Sequence, residues 1–218
     1  LGLADLAQIE KRRERLKKQM RTSKEAQQED AALERIQAVL EDGGAARSVE
    51  LIEEEALMIK PLGLLTAKPI IYATNVSEED LAEGNDYCTE VTNLAASEGA
   101  ETVRISAQVE AELIELGDDE RTDYLEGLGV SEGGLQSLIQ ATYRLLGLRT
   151  YFTTGEKETR AWTFKAGMTA PQAAGVIHTD FERGFIRAQT LGWEKLIEAG
   201  SLAEARNKGW LRSEGKDY

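Results

Sequence analysis

The apolar run Pro69 to Ala73 delivers the chain into Asn75-Val76-Ser77-Glu78, and a second run, Glu101 to Ile105, ends in Ser106-Ala107. An asparagine amide offers a donor and an acceptor in one plane, a glutamate offers only acceptors, and the backbone N–H groups that open a helix are donors without partners. Such a set suits the hydrogen-bonding edge of a flat heterocyclic base. In open α/β sheets, ligands bind beyond the carboxyl ends of the strands, which is where both segments fall.

In P-loop GTPases the corresponding strand ends in Asn-Lys-x-Asp, whose aspartate accepts from the ring NH and the exocyclic amine of guanine. Here Val76 stands at the lysine position and Glu78 at the aspartate position. A hydrogen bond to a charged group is worth about 1.5–3 kcal/mol, so losing that clamp removes roughly tenfold to a hundredfold of guanine preference per contact. Asn75 and the backbone of Val76 are then expected to bond the amino group and ring nitrogen of adenine, with Ser106 and Ala107 closing over the base through backbone amides.

The elements that must hold these residues can be read from periodicity. Leu3, Leu6, Ile9, Leu16 and Met20 recur at helical spacing, and after a polar break at Thr22-Ser23 the pattern resumes at Ala32, Leu33, Ile36, Val39 and Leu40. This predicts a helical hairpin over residues 1–44, closed by Gly43 and Gly44. A further helix is expected over 46–60, stopped by Pro61. From Lys68 the order strand, helix, strand, helix predicts a parallel βαβ unit whose first strand is buried on both faces. Two more helices follow, with Ser131 as the cap of the second. From Leu148 the texture changes to a β-hairpin turning at Gly155-Glu156-Lys157, a short helix capped by Thr169 with Pro171 in its first turn, and a strand in "FIRAQTLGW". The fold class is therefore α/β with a separate α+β unit of β-grasp type: residues 1–44 a hairpin, 45–147 part of a nucleotide-binding domain, and 148–218 the small unit.

Composition narrows the classes. The 218 residues include one cysteine, Cys88, which allows no intrachain disulfide and no cysteine-cluster metal site, and a reducing, cytoplasmic setting fits best. No apolar run approaches the roughly 18 residues of a membrane span, so no membrane partner is expected. The net charge of −13 disfavours DNA, yet residues 148–218 hold 11 Lys and Arg against 9 Asp and Glu, and residues 1–24 hold 8 against 3. Two surfaces can therefore still meet RNA. Lys165, and Arg183 and Arg187 on either side of Phe185, could offer charge and stacking planes to it. For His178 a structural role, packing or bonding near a helix C-terminus, is expected, for Trp162 and Trp193 a place in the small unit's core, and for Cys88 that of a small buried apolar group.

The segments "LLTAKPIIYATNVSEED", "SAQVEAELIELGDDER", "LGLRTYFTTGEKETRAWTFKAGMTAPQAAGVIHTDFERGFIRAQ" and "LRSEGKDY" resemble the Obg-like ATPase family, called YchF in bacteria. The resemblance implies an ATP-preferring P-loop NTPase whose nucleotide-binding domain is interrupted by a helical hairpin and followed by a β-grasp TGS domain. It implies a ribosomal partner (either subunit or its RNA), ATP and Mg2+. It also implies that Asn75, Val76, Glu78, Ser106 and Ala107 are the base-binding residues. No G-x-x-x-x-G-K-[ST] pattern occurs in the sequence, so the chain is expected to be inactive alone, its magnesium ligands and catalytic residues to lie upstream, and a final TGS strand to be absent. The alternative is a non-catalytic ribosome- or RNA-binding module with a vestigial nucleotide site.

Overall fold

The computed structural model describes residues 1–155 and 157–218; the expected turn at Gly155-Glu156-Lys157 thus includes one residue, Glu156, outside the described residues. The chain divides into two compact units, Leu1–Ala141 and Thr142–Tyr218.

In the first unit, α1 (Gly2–Gln19) and α2 (Lys24–Glu41) fold back on each other as a hairpin. Ser23 starts α2 by accepting the Ala26 N–H on its hydroxyl at 3.2 Å, and Gly43 leaves it at φ 82°, a left-handed conformation that favours glycine. Ile9 and Leu16 are buried with Leu33, Ile36 and Leu40, whereas Leu3, which shares their spacing, is 84% exposed. Two forked ion pairs clasp the hairpin. Arg12 bonds both carboxylate oxygens of Glu29 at 2.6 and 2.7 Å, and Arg13 bonds those of Asp30 at 2.9 and 3.2 Å. Part of the basic run in α1 is therefore a fastener between helices rather than free surface.

The helix expected over 46–60 is broken. A single turn at Ala46–Ser48 is followed by extended backbone and then α3 (Glu53–Ile59), and Pro61 sits inside a further tight turn, Lys60–Leu62. Tertiary bonds explain the break, because the Ala46 N–H donates to the Thr66 hydroxyl and the Arg47 N–H to the Thr66 carbonyl. Asp5 of α1 reaches the same place, its carboxylate accepting the N–H of Leu65 and both the N–H and the hydroxyl of Thr66 at 2.6–2.8 Å.

β1 (Ile71–Asn75) and β2 (Glu101–Ile105) pair in parallel, with Asn75 opposite Ile105, and α4 (Asp86–Ser97) makes the crossover, closed by Gly99 at φ 65°. The βαβ order is as expected, but Ala73 and Asn75 are exposed, so β1 is not covered on both faces. α5 (Ala107–Leu113), α6 (Asp118–Gly127) and α7 (Gly134–Leu145) follow. Ser131 is not the cap of α7, whose first backbone bond runs from the Ser137 N–H to the Gly133 carbonyl. A second small core of Leu81, Val109, Leu113 and Leu125 lies under the loop that follows β1.

In the second unit, β3 (Leu148–Thr154) and β4 (Thr159–Lys165) form an antiparallel hairpin, followed by α8 (Ala170–Gly175) and α9 (Thr179–Arg183). The Thr169 N–H donates to the Gln172 side chain at 2.9 Å, and Pro171 lies in the first turn of α8. β5 (Ala188–Thr190), shorter than expected, pairs antiparallel with β6 (Arg212–Glu214), and α10 (Trp193–Ala199) and α11 (Leu202–Asn207) lie between them. Among the described residues the two ladders stay separate rather than joining in one β-grasp sheet. Trp193 is 58% exposed at the start of α10, not a core residue, whereas Trp162 is half-buried, donating to the Thr153 hydroxyl under the guanidinium of Arg160. Cys88 is buried, as a small apolar group would be.

Candidate nucleotide-base site

The register of β1 against β2 sets Asn75 beside the turn from Ile105 into α5. The Asn75 side-chain oxygen accepts the Ala107 N–H at 3.0 Å, joining the ends of the two strands. The Val76 N–H donates to the Ile105 carbonyl at 2.9 Å. The structure thus brings Asn75, Val76, Ser106 and Ala107 together, with two roles reassigned. The amides of Val76 and Ala107 both have acceptors within the protein, and the NH2 group of Asn75, an exposed residue, has no hydrogen-bond partner among the described residues. Val76 turns its side chain onto the small core of Leu81 and Val109. Ser106 is 1% exposed, and its hydroxyl caps α5 by accepting the Val109 N–H at 3.5 Å.

Glu78 is half-buried, its carbonyl accepting the Leu81 N–H as the loop turns. Its carboxylate lies close enough to Tyr124 to add to the field on that phenol. The Tyr124 hydroxyl donates to Glu112 at 2.6 Å, and this bond first, then burial and the charges of Glu112 and Glu78, push its pKa up to about 12.

The loop from Val76 to Asn85 is held by residues that sequence reading did not single out. Asp80 accepts from the Ser77 hydroxyl at 3.1 Å and from the Asn85 amide at 2.8 Å, while Asn85 caps α4 by accepting the Cys88 N–H at 3.1 Å. Arg104 of β2 donates to the carbonyls of Leu81 and Ala82 at 3.0 and 2.6 Å. The legible signal is an arginine between the β-branched residues Val103 and Ile105 of the strand "ETVRI".

Lys165, Arg183 and Arg187 are all exposed. Lys165 ends β4, opposite Leu148, and Arg183 ends α9. Arg187 borders an apolar groove of about 410 Å3 lined by Ile177, Phe181, Phe185 and Ile186. His178 has a structural role, but its side chain bonds at a helix N-terminus rather than the C-terminus expected: it follows α8 and caps α9, its Nδ1 accepting the Asp180 N–H at 3.2 Å. Among the described residues no group of three or more His, Cys, Asp or Glu is placed to hold a metal ion, and no helix is long and apolar enough to cross a membrane.

Residues 148–218 match the family model described as "YchF-GTPase_C: Protein of unknown function (DUF933)". Over its whole length the chain is 48% identical to the "Ribosome-binding ATPase YchF" of Bacillus subtilis (strain 168) and 47% identical to that of Escherichia coli O157:H7, covering 60% of each. It superimposes with a TM-score of 0.83, at 33% identity, on the "Structure of the Schizosaccharomyces pombe YchF GTPase", again over the whole chain and 60% of that one. The chain thus spans about three fifths of the length of the relatives it matches. Sequence and fold are alike over the whole of this chain: it belongs to the YchF family.

Proposed function

We propose that this chain supplies base recognition and ribosome contacts to a cytoplasmic, ribosome-associated P-loop NTPase that hydrolyses the phosphoanhydride bond of ATP in preference to GTP. Residues 45–147 act as the base-reading part of an OBG-type G domain. The hairpin 1–44 and the TGS domain 148–218 meet the ribosome. The observation that carries this reading is the clasp between Asn75 and Ala107, which joins the two strand ends while leaving the Asn75 NH2 group to the ligand. This NH2 donates to an acceptor on a base edge, and with Val76 and Glu78 at the flanking positions nothing remains of a guanine clamp.

The relatives are named ATPases and the structural neighbour a GTPase, so base preference is the chemical question this site has to answer. Magnesium supplies charge neutralisation on the phosphates when bound. Among the described residues no group of three or more His, Cys, Asp or Glu is placed to hold it. These side chains hold and orient the base; the chain by itself does not hydrolyse ATP.

The test is a calorimetric titration of ATP and of GTP, each with magnesium, into the protein as its gene encodes it. Tight ATP binding with much weaker GTP is the expected result. Binding of neither would favour the second reading, an RNA-binding module with a vestigial nucleotide site. That reading has its own support in Lys11, Arg15, Lys17, Lys18, Arg21 and Lys24, which are exposed around the hairpin tip without an ion pair among the described residues.

A further inference from the structure

The loop from Val76 to Gly84 must keep one conformation if it is to read a base edge, because a hydrogen-bonding site discriminates only when its groups are held within a fraction of an ångström. At its start the loop is fixed by the ladder bond from Val76 to Ile105 and by the clasp from Asn75 to Ala107. At its far end the fixing group comes from the opposite strand. Arg104 stands across from Thr74 in the β1–β2 pair and sends its guanidinium to two successive carbonyls, those of Leu81 and Ala82.

Two further observations show how closely this contact is fitted. Gly84 has φ 81°, which favours glycine, and a Cβ added there would lie 2.8 Å from Nη2 of Arg104, so any side chain at this position would push the guanidinium aside. The Nε of Arg104 is buried without a hydrogen-bond partner among the described residues. A buried N–H without an acceptor opposes folding, and an apolar side chain of similar length would fill this space without that cost. What the arginine supplies and an apolar residue could not is the pair of bonds from its Nη1 to two successive carbonyls.

We propose that Arg104 is a positioning residue for base selectivity. It ties the loop carrying Val76 and Glu78 to the strand whose next residues, Ser106 and Ala107, form the other side of the site, so that both halves move as one frame. The inference rests on the reading that Asn75 and its loop face a nucleotide base. Arg104 does not touch the ligand; it acts through the loop.

The experiment measures ATP and GTP affinities of the protein as its gene encodes it, for wild type, Arg104→Met and Arg104→Lys. Methionine keeps the apolar stem and removes both bonds, whereas lysine keeps a charged donor on a shorter stem. The ratio of ATP to GTP affinity is expected to fall about tenfold in Arg104→Met, as for one lost oriented hydrogen bond, and to recover in part in Arg104→Lys. A merely structural role would weaken both nucleotides alike and leave the ratio where it was, and that result overturns the inference while the base site stands. Should Arg104→Met fail to fold, Gly84→Ala displaces the guanidinium from the other side, and an unchanged ratio there overturns the inference equally. A wild type that shows no preference between ATP and GTP overturns the underlying reading and this inference with it.

Discussion

The side-chain oxygen of Asn75 and the backbone N–H of Ala107 are joined at 3.0 Å across 32 residues of sequence, so one half of the amide ties the two strand ends together and the other half, its NH2, has no partner among the described residues. Two substitutions separate these roles. Asn75→Ala removes the clasp and the donor together, and is expected to weaken adenine nucleotides by about 1–3 kcal/mol. Asn75→Asp keeps an oxygen for Ala107 but loses the donor, and should weaken binding while leaving the thermal midpoint close to that of wild type. Calorimetry with parallel thermal melts checks both. Unchanged ATP affinity in Asn75→Ala would remove this residue from the site.

Changing Val76 to lysine and Glu78 to aspartate together restores the guanine-reading pattern and should raise GTP affinity relative to ATP. Val76 packs against the core of Leu81, Val109, Leu113 and Leu125, so the lysine must leave that contact. A lower thermal midpoint is therefore expected alongside the altered preference, since burying a Val-sized side chain contributes about 1.5–3 kcal/mol. If the ratio of affinities does not move in the folded variant, the base does not lie against this loop.

How much of this was written in the sequence depends on whether a local pattern or a long-range bond decides the matter. The helical hairpin, the βαβ order and the β3–β4 hairpin follow from periodicity, caps and glycines, all of them local. The break between Ala46 and α3 was not legible, because it is made by Thr66, some twenty residues away. Asn75 was legible as a site residue through its type and its place at a strand end. Its use of half of its amide on Ala107, and the pairing of the Val76 and Ala107 N–H groups within the protein, depend on the register of two strands. Trp193 misled for a related reason: a large aromatic suggests core, but its backbone begins a helix that turns it outward.

Around the hairpin tip, Arg12 and Arg13 differ from their basic neighbours by being engaged with Glu29 and Asp30. Replacing Lys17, Lys18 and Arg21 by glutamate should leave the melting temperature nearly unchanged, since surface charges away from such pairs contribute little. It should sharply reduce co-sedimentation with ribosomes, with most of the difference disappearing at high salt. Arg12→Ala should show the opposite pattern, a lower melting temperature with ribosome binding preserved in the folded fraction. Equal ribosome binding by the triple glutamate variant would mean that the tip is simply a solvated helix end.

A pH-sensitive contact is expected at Asp5. Burial raises the pKa of its carboxyl, but the hydroxyl of Thr66 and the N–H groups of Thr66 and Leu65 outweigh that together and hold it below its ordinary value of 3.8. A carboxylate whose folded pKa is lowered contributes stability that is fully present above the unfolded value and is lost as pH falls through the folded one. Asp5→Asn places an NH2 group where an acceptor is needed, leaving a buried donor unpaired at a cost of about 1–3 kcal/mol at neutral pH. The gap in denaturant midpoint between wild type and Asp5→Asn should then narrow as the solution is acidified through the carboxylate range, because wild-type Asp5 becomes protonated there while the asparagine does not titrate. A gap that stays constant over that range would mean that the charge on Asp5 contributes nothing to the contact and that only its shape matters.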